Sequence, residues 1–114
     1  MIRPVALLGI AAALSACAAP STADDDRGRI LFLTRCSPCH GSEGRGDGPG
    51  AAAIEPKPRN FHDAEFWRTR TEAQIREAIL KGKPGTLMSP FEGALSDAEI
   101  DAIIRHLQTF KPAP

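Results

Sequence analysis

The sequence predicts a small all-α domain, and three features predict it. No run of residues alternates apolar and polar as a half-buried strand would. Two segments open with a capping box, Thr71-Glu72-Ala73-Gln74 and Ser96-Asp97-Ala98-Glu99. Each leads into apolar residues at helical spacing: Ile75, Ala78 and Ile79 after the first, then Ile100, Ile103, Ile104, Leu107 and Phe110 after the second. The chain has 114 residues, 5% aromatic and no Tyr. That length allows one domain with a modest core, of a size that often needs a staple, a metal or a cofactor. Its 14 Lys+Arg balance 14 Asp+Glu, which argues against a nucleic-acid binder.

The N-terminus reads as a targeting segment. Arg3 is the only charge in the first 23 residues, and an apolar run from Val5 to Leu14 follows it. This is the layout of a secretory signal, too short for the roughly 20 residues that span a bilayer. Leu14-Ser15-Ala16-Cys17 resembles the lipobox of bacterial lipoproteins. The resemblance implies that residues 1–16 are a signal peptide, cleaved before Cys17. Cys17 would then carry a diacylglyceryl thioether and a palmitate-type acyl group on its new amino terminus. Ala18 in place of Asp favours the outer membrane, by resemblance to Gram-negative lipoproteins. An ordinary signal peptide that happens to contain a Cys is the alternative. Residues 17–26 are expected to form the lipidated Cys and a flexible tether, because they are small, polar and acidic with no hydrophobic period. The domain is expected over 27–111, with 112–114 as a tail.

The other two cysteines lie in Cys36-Ser37-Pro38-Cys39-His40, the C-x-x-C-H signature of covalent c-type haem attachment. Two thiols three positions apart near a helix end both reach the vinyl carbons of one porphyrin. The next residue is then held under the ring, where its imidazole binds iron. A thioredoxin-like pair needs a βαβ context, a zinc site needs four ligands, and a disulfide across so tight a loop would be strained. Two thioethers and one lipid thioether leave no thiol over.

With these residues, 27–111 resembles a class I c-type cytochrome. That implies a small cytochrome c fold: about four short helices and loops around one covalently bound haem, with its iron held by His and Met. The first helix is expected over Gly28–Arg35, with Asp24–Asp26 favoured at its N-terminal end by the helix dipole. The resemblance places Gly28 and Phe32 where the first and last helices cross. Five glycines between Gly41 and Gly50 mark a loop that turns around the haem edge. The resemblance also implies that a proline carbonyl accepts the Nδ1 proton of His40; Pro58 is the candidate, with Pro49 and Pro56 as alternatives. Phe61, Phe66 and Trp67 form the aromatic cluster, and Trp67 either donates its indole N–H to a haem propionate or simply packs.

Gly82 is expected to close the helix after Thr71, and Pro112 to stop the last helix. Between the two capped helices, Gly85-Thr86-Leu87-Met88-Ser89-Pro90-Phe91 resembles the distal-ligand loop of these cytochromes, apart from Ser89 after the Met. Met88 is the one Met besides the initiator and lies 48 positions beyond His40. The resemblance makes it the distal iron ligand. His62, expected to be exposed, and His106, where relatives often carry Tyr, are the competing ligands.

The resulting expectation is a membrane-tethered electron carrier of the bacterial envelope, its domain in the periplasm, with transient redox-protein partners. It is expected not to be an enzyme and to have no small-molecule substrate. The alternatives are a cytochrome subunit of a larger oxidoreductase, and a haem protein with an open distal position that binds ligands. Lys57, Arg59, Lys81 and Lys83 are candidates for a docking rim, or else ordinary solvated charge.

Overall fold

A computed structural model of the chain describes residues 1–13 and 18–114. The lipobox residues Leu14–Cys17 lie outside the described residues. Residues 1–13 have no regular secondary structure, and no helix among the described residues is long and apolar enough to cross a membrane.

The described residues form helices and loops without a strand, the expected all-α class. Four helices build the frame: α1 (Thr22–Leu31), α3 (Ala64–Thr69), α4 (Glu72–Lys81) and α5 (Asp97–Gln108). A single helical turn, α2 (Ser37–His40), carries the Cys39-His40 pair.

The first helix starts earlier than expected and takes Thr22–Asp26 out of the predicted tether. Ser21 is its N-cap: the Asp24 amide donates to Ser21 Oγ (3.3 Å), and the Ser21 amide donates back to Asp24 Oδ2 (3.1 Å). Asp at the third position completes the box that Glu or Gln usually completes, and the Ser21 hydrogen bonds hold the Asp24 carboxyl below its usual range. Arg27–Glu99 and Arg105–Asp25 ion pairs then tie α1 to α5. Such pairs lie at the surface, so they fix the register of the two helices more than they stabilise the fold.

The α1–α5 crossing requires Gly28. A Cβ there would lie 2.1 Å from the Ala102 carbonyl oxygen, so only glycine lets the helices approach so closely. Phe32 fills the space beside it, 0% exposed, against His106 and Phe110 with ring centroids 5.1 and 5.4 Å away. The expected stripe of α5 is the core: Ile100, Ile103, Ile104 and Leu107 are all buried. Burial of each contributes about 1.5–3 kcal/mol. Phe110 lies just past the last residue of α5 and packs back on Phe32 and His106.

Both predicted capping boxes are formed, at Thr71/Gln74 and Ser96/Glu99. No helix is expected from the sequence over 64–69. Asp63 nevertheless caps one, its carboxylate accepting from the Glu65 amide (3.0 Å), and α3 buries Phe66.

Candidate functional site

Between α1 and α2 the backbone runs through a π-helical turn, Phe32–Cys36, in which the Ser37 amide donates to the Phe32 carbonyl. Such wide turns recur at functional sites, and here one leads straight from the α1–α5 crossing into the attachment motif. Pro38 occupies the first turn of α2, where a missing N–H leaves no bond unmade. A one-turn helix leaves its carbonyls without intrahelical partners. The glycine loop supplies the donors: Gly41 N–H to Ser37 O (2.8 Å), Gly46 N–H to His40 O (2.7 Å) and Gly48 N–H to Cys39 O (3.0 Å). At Gly48 a Cβ would come within 2.4 Å of the Pro38 carbonyl oxygen, which explains why the returning limb of the loop is glycine-rich.

Cys36, Cys39 and His40 are half-buried, and neither cysteine is in a disulfide. Burial pushes the Cys36 thiol up to about 11. Reactive C-x-x-C pairs show the opposite, a depressed value on the attacking thiol.

The His40 ring stacks on Phe61 with centroids 4.8 Å apart, and its Nδ1 lies 3.2 Å from the carbonyl oxygen of Arg59. A carbonyl only accepts, so Nδ1 carries the proton and Nε2 presents its lone pair to a metal. Burial lowers the His40 pKa against the opposing effect of that hydrogen bond, keeping the ring neutral. The orienting carbonyl is therefore that of Arg59, not of Pro58, Pro49 or Pro56. The Pro58 carbonyl faces Gly46 instead, 2.5 Å from where a Cβ would be. One residue of displacement re-aims a carbonyl, and nothing in the composition of the Pro-rich segment decides which one points at the ring.

The Met88 loop is pinned to the end of α4. The Phe91 amide donates to Ile79 O (2.9 Å) and the Glu92 amide to Leu80 O (3.1 Å), satisfying terminal helix carbonyls. Gly82 has φ +73°, and a Cβ there would lie 2.6 Å from the Met88 carbonyl oxygen. Thr86 steadies the approach: its hydroxyl donates to Lys83 O (2.8 Å) and accepts from the Met88 amide (3.2 Å). The Met88 side chain is half-buried against the core, and Leu87 beside it is 70% exposed.

These elements enclose one cavity of about 830 Å³, and Cys36, Cys39, His40 and Met88 all line it. Phe32, Phe61, Phe66, Ile75, Ile79, Ile103 and Leu107 supply apolar wall. His62 and His106 do not line it. His62 is half-buried rather than exposed, with Nε2 at 2.6 Å from the Glu43 carbonyl oxygen. His106 packs between Phe32 and Phe110. Trp67 is also absent from the cavity wall. Its indole N–H is spent on Phe61 O (2.7 Å), which fixes the residue that stacks on His40 and leaves no donor for a propionate.

The cytochrome c family pattern matches residues 26–111. The chain belongs to the cytochrome c family. As in its relatives, the cofactor is covalent haem c with its iron. An apolar-walled cavity with two uncrosslinked thiols, a neutral imidazole with a free Nε2 and a thioether on its walls fits that group. The chain is 34% identical over 106 residues to a dihydro-heme d1 dehydrogenase of Pseudomonas aeruginosa, covering 93% of this chain but only 19% of the dehydrogenase. Among solved structures it is similar to the KustC0563 c-type cytochrome (33% identity, TM-score 0.62, 75% of this chain and 98% of that one). It is also similar to a chain of the Kuenenia stuttgartiensis reducing HAO-like protein complex (28% identity, TM-score 0.65, 75% of this chain and 42% of that one).

Proposed function

We propose that this cytochrome c domain is a one-electron carrier, with thioethers to Cys36 and Cys39 and with His40 and Met88 as the two axial ligands. When bound, the haem iron supplies Fe(II)/Fe(III) exchange, and a thioether ligand raises its potential relative to a second imidazole. His40 is held for ligation by Phe61 and by the Arg59 carbonyl. Met88 is brought to the same cavity by the Gly82 approach and the Thr86 turn. The observation that carries the reading is the convergence of these four side chains, from two separate parts of the chain, on one cavity. With His40 and Met88 both holding the iron, no coordination position on it would remain open to a substrate.

The absorption spectrum of the purified protein, oxidised and reduced, with and without CO, tests the ligand set. A saturated iron in the reduced protein takes up CO slowly or not at all. Rapid CO binding would instead establish the open, ligand-binding alternative.

Partners of such a carrier are redox proteins met in weak, transient encounters. Of the candidate rim cations, Lys57 is engaged with the Ala51 and Ala52 carbonyls and Lys81 with Glu92, which leaves Arg59 and Lys83 for docking. Anchoring through lipid on Cys17, with the domain in the periplasm, rests on the lipobox, and the choice of the outer membrane rests on Ala18. Mass spectrometry of the native protein checks it, and Cys17→Ser should release the domain. A second reading, a cytochrome subunit of a larger oxidoreductase, is favoured by relatives in which the matched domain is a fraction of the chain. Co-purification with a partner would distinguish it from a free shuttle.

A further inference from the structure

A tether over 17–26 would let a lipid-held domain swing freely, and the fold removes most of that tether. Helix α1 begins at Thr22, yet its first turn buries nothing: Thr22 to Arg27 are all exposed, and Gly28 is the first buried residue of the helix. Exposed helix ends fray unless something holds them. Three things hold this one. The Ser21–Asp24 capping box closes in both directions. Asp24 and Asp25 lie at the positive end of the helix dipole. Asp25 Oδ1 also accepts from Arg105 Nε (3.3 Å), which pins the turn to α5.

Only Ala18, Ala19 and Pro20 then separate Cys17 from the capping residue. Extended, the chain from Cys17 to Ser21 reaches at most about 14 Å, and Pro20 stiffens it. From Ser21 the backbone is helical through α1, the π turn and into α2. At a rise of about 1.5 Å per residue, Cys36 stands about 20 Å along that rod. The attachment motif is therefore no more than about 35 Å from a lipid on Cys17, whereas a chain free as far as residue 26 would allow about 45 Å. The two ends of the rod are separate in function. From this stretch the cavity wall takes Phe32, Arg35, Cys36, Cys39 and His40, and among the described residues it takes nothing from α1. An anchor at the N-terminal end of α1 thus leaves the cavity unoccupied by the connector. Confinement to a thin layer raises the effective concentration of a carrier for partners in the same layer, and does nothing for partners free in solution.

We propose that Ser21 ends the tether, so that the lipid-held domain works in a layer against the membrane and exchanges electrons with a redox protein bound to that same membrane. The inference rests on lipidation of Cys17 and on the carrier reading of the domain, and not on which side chains hold the iron.

Mass spectrometry of the purified holoprotein comes first. An unlipidated wild type would overturn the anchoring reading and the proposal with it. With the lipid in place, the holoprotein is reconstituted in phosphatidylethanolamine–phosphatidylglycerol vesicles that carry a headgroup fluorophore, whose emission the haem quenches by energy transfer. A long Gly/Ser insertion between Pro20 and Ser21 should weaken the quenching severalfold. Ser21→Ala/Asp24→Ala/Asp25→Ala, which removes the box and the Arg105 pair, should weaken it part-way with the visible spectrum intact. Quenching by the lipidated insertion form equal to wild type would overturn the short tether while leaving the anchor standing. Reduction and reoxidation of the haem are then followed in native membranes. Both should be severalfold slower with the insertion than in wild type, and slower again for Cys17→Ser at the same concentration. Rates unchanged or raised by the insertion, or exchange sustained by the soluble periplasmic fraction alone, would assign a soluble partner and overturn the proposal.

Discussion

The wall that carries His40 and the loop that carries Met88 are built on different principles. His40 is flanked by the attachment cysteine, stacked on Phe61 and hydrogen-bonded at Nδ1, and Phe61 is itself held by Trp67 and by its own amide on Gly44 O (2.7 Å). Met88 has its backbone fixed through Thr86 and the return of Phe91 to α4, and its half-buried side chain rests on the core. Among the described residues no hydrogen bond or ring stack clamps that side chain, and its neighbour Leu87 faces solvent. One candidate ligand is positioned by side-chain contacts and polar bonds, the other mainly by the path of its chain. The difference implies that the histidine wall tolerates little change, whereas the methionine loop can lose its ligand and keep the fold.

Phe61→Ala should have the largest effect on stability. It removes a buried ring between His40 and Phe66, at a cost of about 3–5 kcal/mol, read by denaturant titration of the holoprotein. A cost under about 1 kcal/mol would show that the histidine wall is not rigidified as described.

Met88→Ala should have the largest spectroscopic effect and a smaller structural one. It should abolish the weak red band of thioether-to-ferric-iron charge transfer, open the iron to CO, and lower the potential. Because the side chain is only half-buried, the stability loss should stay near the low end, about 2 kcal/mol, of the range for Met→Ala. Retention of the band would make another group the ligand, and His62 would be tested first even though it lies off the cavity.

Gly82→Ala sharpens the claim that Met88 is placed by backbone. The left-handed φ and the approach to the Met88 carbonyl should cost about 1–3 kcal/mol. The charge-transfer band should weaken while the His40 side of the site stays unchanged.

His106→Phe is the smallest and serves as a control outside both walls. The His106 pKa is lowered from 6.5 chiefly by burial, then by Arg29, with Glu43 opposing, and its Nε2 is buried without a partner. The unfolded chain therefore takes up the proton first as pH falls below 6.5, and the folded protein loses stability until His106 itself protonates. Thermal melts of the holoprotein from pH 7 to 5 should show a decline that His106→Phe reduces. An unchanged decline would assign it to other groups.

How much of the molecule is legible in its sequence follows from which interactions are local. The attachment cysteines with His40, the capping boxes at Thr71 and Ser96, the α5 stripe and the Gly28–Phe32 pair are patterns of short sequence range, and each can be read without a fold. Met88 stands out as a candidate because a flexible apolar side chain in a Pro/Gly loop has no helical or strand face to pack from. The Ser21 cap escapes the usual pattern because Asp24 stands where Glu or Gln is common, and the small helix α3 escapes it because six residues carry almost no periodicity.

By itself the sequence determined an all-α chain and covalent haem, and named the candidate residues to hold it, since these depend on residue type and spacing. Only the tertiary structure decided that Arg59 rather than Pro58 offers its carbonyl to His40, and that Trp67 serves Phe61. It alone placed His62 and His106 off the cavity. Those outcomes depend on the direction of single carbonyls and on which side chains already have partners. Such details are set when distant segments pack, and no local pattern encodes them.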